Sequence, residues 1–134
     1  MTLPELFDEV HAALAPLAGH IDGLAVYRHW SDNPTPPAID VYPANPFQTG
    51  GGFQAGNNQI FLTVRARVAM GDPLAGQETL LRLLDPGDPA SVEVALKSVA
   101  TITDGGVSGF TQYADDSPAN ERMLGCEWRL TTFL

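Results

Sequence analysis

The chain is short of cysteine, of positive charge and of long apolar runs, and each shortage removes a class of protein. A single thiol, Cys126, in 134 residues permits no intramolecular disulfide and no multi-cysteine metal site. A reducing, cytosolic setting is the expectation that follows. Nothing approaches the roughly 18 consecutive apolar residues of a membrane helix. The first ten residues, MTLPELFDEV, are acidic where a secretory signal is basic, which argues against export by that route. Sixteen acids face seven bases, for a net charge of −9, and Lys97 is the only lysine. Gripping DNA draws on cationic contacts to phosphate, so that role is disfavoured.

Catalytic signatures are missing as well. His11, His20 and His29 have no cysteine or second histidine at ligand spacing, so no metal site is expected. Asp115 and Asp116 are neighbours in a turn, where two carboxylates seldom converge on one atom. The triple glycine at 50–52 lacks the Lys-Ser/Thr of a phosphate loop, and no Gly-x-Ser-x-Gly elbow occurs. No cofactor and no enzymatic activity are expected.

What is present describes one globular domain over 1–134, 44% hydrophobic and large enough for a real core. Leu3, Leu6, Phe7, Val10, Leu14 and Leu17 form the stripe of an amphipathic helix, with Thr2 as cap and Pro4 in its first turn. Short strands are predicted over 24–28 and 38–42, joined by a proline-rich connector at 33–37. Ile60, Leu62, Val64, Ala66 and Val68 alternate with Phe61, Thr63, Arg65, Arg67 and Ala69, the period of a sheet with one buried face. Leu124, Cys126, Trp128 and Leu130 repeat that pattern, so Cys126 reads as a structural thiol. Gly-Asp-Pro at 71–73 and 87–89 predicts two capped helices over 74–85 and 90–99. Their buried faces would come from Leu80, Leu81, Leu84, Val92, Ala95, Leu96 and Val99. Gly105-Gly106 then reopens the chain into a strand over 107–114, which forms a hairpin with the last strand. The fold class is α+β, an antiparallel or mixed sheet with helices packed on its apolar face.

Two features point to assembly. Residues 43–58 carry Gly50, Gly51, Gly52 and Gly56 together with Phe47 and Phe53, and read as a flexible loop ordered against a partner. Arg65, Arg67 and Arg129 gather three of the seven bases on one outward sheet face. There they would pair with Glu127, decorate an exposed sheet, or meet an acidic patch on an identical neighbour in a closed ring.

The succession Leu24-Ala-Val-Tyr27, Pro36-Pro37-Ala-Ile-Asp-Val41-Tyr42-Pro43, Phe61-Leu-Thr-Val-Arg65-Ala-Arg67-Val68 and Leu83-Leu84-Asp85-Pro86 resembles tail terminator proteins of long-tailed actinobacterial phages. The closing Gly109-Phe110, Tyr113 and Leu124-Gly125-Cys126-Glu127-Trp128 is similar too. The resemblance implies a virion structural protein without catalytic residues, assembled in the host cytoplasm. It would cap the tail tube as a hexameric ring, stop tube polymerisation and offer the surface for head–tail joining. The implied partners are further copies of the chain, the tail tube protein, the head connector, and genomic DNA passing the lumen unbound. Phe47, Phe53, Arg65, Arg67, Glu127 and Arg129 are the candidate tube or subunit contacts. Two alternatives stand beside it: another neck protein such as a head-closure factor, and a small-molecule-binding domain with Trp30, Phe47, Phe53 and Trp128 lining a pocket.

Overall fold

A computed structural model describes residues 2–28, 35–50, 58–69, 72–112 and 122–133. Helix α1 (Leu3–Leu14) begins with a capping box. The Thr2 hydroxyl accepts from the Glu5 amide at 3.3 Å, and the Glu5 carboxylate accepts from the Thr2 amide at 3.0 Å. A 3-10 helix (Ala15–Gly19) extends it, and Gly23, at φ 75°, makes the turn a side chain would resist. Strands β1 (Ala25–Val26), β2 (Ala38–Gly50) and β3 (Asn58–Ala69) follow, then helices α2 (Pro73–Leu84) and α3 (Val92–Leu96), then strands β4 (Thr101–Gln112) and β5 (Arg122–Phe133).

The sheet order is β1-β2-β3-β5-β4, parallel only between β1 and β2. The architecture is α+β, with an open mixed sheet of five strands and three α-helices among the described residues. Its core lies between the helices and one sheet face. Leu6, Val10 and Leu14 of α1 pack with Leu80, Leu83, Val92 and Leu96 against Ile39, Val41, Ile60, Leu62, Val64, Cys126, Trp128 and Leu130. The alternation in β3 and β5 thus selects the buried face as expected, and each buried aliphatic side chain contributes about 1.5–3 kcal/mol. Among the described residues no helix is long and apolar enough to cross a membrane.

Four local expectations need correction. First, residues 43–50 are strand, so the presumed loop is a strand for half its length. The register shifts between Pro43 and Gln48: Pro43 faces Leu62 and Gln48 faces Ile60, leaving residues 44–47 against Phe61. A bulge absorbs the extra chain, and pairing resumes to Gly50 opposite Asn58. Second, Asp72 caps α2 as predicted, accepting from Ala75 N at 3.2 Å, but Asp88 caps no helix. Its carboxylate holds the Ala90 amide at 2.8 Å and Arg82 at 3.2 Å, and Ser91 takes over as cap by accepting from Val94 N. The third correction concerns Leu81, which is 62% exposed, while Leu83 is buried in its place. Gly76 lies beneath β3, where an added Cβ would come within 3.0 Å of Ala69 O, so the row 76, 80, 83 is the one that faces the sheet. Fourth, β4 starts at Thr101 and carries Gly105 and Gly106 within it, because Gly105 gives way to the Trp128 ring.

Candidate functional site

Asp40, Arg65 and Arg67 meet on the sheet face turned away from the helices. Antiparallel register sets Asp40 opposite Arg65 and Arg65 opposite Glu127. Arg67 is two residues further on, hence on the same face and within a long side chain's reach of the diagonal neighbour. Arg65 donates to both Asp40 oxygens, from Nε at 3.2 Å and Nη2 at 2.8 Å. Arg67 Nη2 is 3.6 Å from Asp40 Oδ2. Tyr42 lies under the Arg65 guanidinium, 4.6 Å from its ring centre, and donates its hydroxyl to Glu127 Oε1 at 3.0 Å. Burial first, then the Glu127 hydrogen bond and charge, push the Tyr42 phenol above its ordinary value.

This face is not the solvent-exposed surface that the alternation implied. Asp40 is 2% exposed and Arg67 3%, with Thr63 and Met123 also buried. The expected pairing of Arg65 and Arg67 with Glu127 is replaced by pairing with Asp40, while Glu127 takes Tyr42. An aspartate is shorter than a glutamate and holds a guanidinium close to the strand, so the bidentate fork forms on β2. Asp40 and Tyr42 are the functional-looking residues the sequence reading left aside. Their period-two placement with Val41 put them on the correct face, but only the register shows which arginine they meet.

Arg129 is exposed on the same face of β5, opposite Thr63 on one side and Asp104 on the other. No carboxylate lies within ion-pair distance of it among the described residues. Phe47 is in β2 but its side chain is outside the described residues, as are Phe53, Trp30, His29 and the Asp115-Asp116 turn. Trp128 is 3% exposed within the core and lines none of the three cavities found on the surface. The pocket alternative loses that residue. Cys126 is fully buried, and burial pushes its thiol up to about 11, which leaves a structural, unreactive sulfur. His11 bonds the Val26 carbonyl through Nε2 at 3.2 Å, tying α1 to β1.

Strand β4 is an open edge. Residues 103–107 are exposed, with Val107 62% accessible, and its register breaks between Ile102 and Asp104 and between Val107 and Gly109. A groove of about 450 Å³ runs beside its start, lined by Val94, Lys97, Thr101 and Ile102. A second, of about 290 Å³, lies along Asp104, Gly105 and Val107 next to Glu127 and Arg129. The chemistry of the face follows: a carboxylate shared by two guanidiniums locks β2 to β3, and an uncovered strand edge beside it presents charge outward. No protein-family model matches the chain, and no curated protein matches it.

Proposed function

We propose that this chain is a tail terminator of a long-tailed phage, a virion structural protein that assembles as a ring, hexameric by the resemblance, at the end of the tail tube. The reading is supported by the in-order resemblance along the chain. One structural observation carries it further: an open sheet, backed by helices on one face, that ends in a twelve-residue edge strand. Such an edge offers unpaired backbone groups and is suited to side-by-side subunit association. The buried Asp40–Arg65–Arg67 lock keeps the β2–β3 pair rigid beneath it. A net charge of −9 suits a ring through which DNA slides, since repulsion limits sticking. Phe47 and Phe53 remain candidates for the tube contact.

The test is assembly on tubes. Light scattering with negative-stain imaging reads whether the protein forms annular particles, and addition to growing tail tubes reads capping. Tubes of fixed length bearing a terminal ring are the expected result. Tubes that grow on unchanged in the presence of excess protein would overturn the proposal.

A further inference from the structure

The seven bases are not distributed evenly. Arg28 is paired with Asp8, Arg65 and Arg67 with Asp40, and Arg82 with Asp88. Among the described residues, that leaves Lys97 and Arg129 as cations with no carboxylate within ion-pair distance. Both are exposed and both border β4: Lys97 from the helix side, in the groove with Thr101 and Ile102, and Arg129 from the opposite sheet face beside Asp104.

The other end of the sheet is acidic. There β1 is only two residues long, and α1 lies across it through His11 on Val26 and Arg28 on Asp8 and on the Pro4 carbonyl. The exposed acids Glu5, Asp8 and Glu9 therefore sit at the β1 edge, and only Asp8 has a cation paired to it there. One edge is open and cationic; the opposite edge is acidic.

We infer that the β4 edge, through Lys97 and Arg129, docks the acidic β1–α1 edge of a second copy of this chain. In a molecule of net charge −9 any other approach of two copies brings like charges together, so this pairing is the one electrostatics favours. The contact is heterologous: each copy uses both edges, and repetition gives a ring if the rotation closes. The two register breaks in β4 restrict backbone pairing to a few residues, which leaves charge to set the orientation and keeps the edge from indiscriminate strand addition. The inference deepens the ring-forming reading by naming its subunit surface, and rests on that reading only for the number of copies.

Lys97 makes the test sharp, because it is the chain's only lysine. Isotope-labelled and unlabelled protein, mixed and treated with a zero-length carbodiimide, should give mixed-label peptides joining Lys97 to residues 5–9. Lys97 joined only to Glu93 of its own chain, or to other acids of the second copy, overturns the inference. A wild-type protein that stays monomeric at every concentration by sedimentation overturns it as well. K97E/R129E, both at exposed positions, should weaken association about tenfold, and adding Glu9→Lys should restore part of it. Tube capping is scored separately. Copies that cross-link as described but cap nothing would sink the tail reading alone; capped tubes without the Lys97 link would sink this inference alone.

Discussion

Asp40→Asn tests the polar face most directly. The substitution keeps the side chain's shape and removes the charge that Arg65 and Arg67 share at 2.8 Å and 3.6 Å. Asp40 and Arg67 are almost wholly buried, so the guanidiniums cannot recover the loss from water. Removing one partner from a buried ion pair costs about 3–5 kcal/mol. For 134 residues, an unfolding entropy of ~2.1 cal/mol/K per residue converts 1 kcal/mol into roughly 3.5 °C. The expected fall in Tm is therefore about 10–18 °C, read by differential scanning calorimetry or circular dichroism at pH 7. Asp8→Asn is the control, since Asp8 and Arg28 are 67% and 39% exposed. Breaking that pair should cost about 0–1 kcal/mol, no more than roughly 4 °C. If the two variants melt within 2–3 °C or so of each other, burial is not what sets the strength of the Asp40 cluster and the reasoning fails.

Two further outcomes follow from contacts in the sheet. Gly105→Ala would place a Cβ 2.7 Å from Trp128 Cδ1, whereas Gly106→Ala meets nothing within 4 Å. The first should destabilise by about 1–3 kcal/mol and the second by less than about 0.5 kcal/mol in chemical denaturation. Cys126, with its thiol pushed up to about 11 by burial, should react with a disulfide reagent at pH 8 only after unfolding. Its folded value lies above the unfolded ~8.5, so its contribution to stability is whole below that pH and is lost as pH rises toward 11. A Cys126→Ala variant whose stability falls equally steeply from pH 8.5 to 11 or so would contradict this.

The sequence by itself determined the elements that depend on local chemistry and on period. The Thr2–Glu5 capping box, the Asp72 cap before Pro73, the apolar stripe from Leu6 to Leu17 and the alternating faces of β3 and β5 are fixed by neighbours within four residues, and all were legible. So was the order of helices and strands, because each changes the period of the pattern. Tertiary structure decided what depends on register. Whether Asp40 or Glu127 takes Arg65 turns on how β2 and β3 align, and that alignment includes a four-residue bulge with no periodic signature. The same holds for Asp88, whose proline-preceding position signals a cap until Arg82, six residues earlier, claims the carboxylate. Glycine in β4 read as a break because its local cost is entropic; in the fold Gly105 is a strand residue that makes room for Trp128. Periodicity assigns a face to every residue of a strand, but partners across a sheet are set by chain alignment, and that is a property of the whole domain.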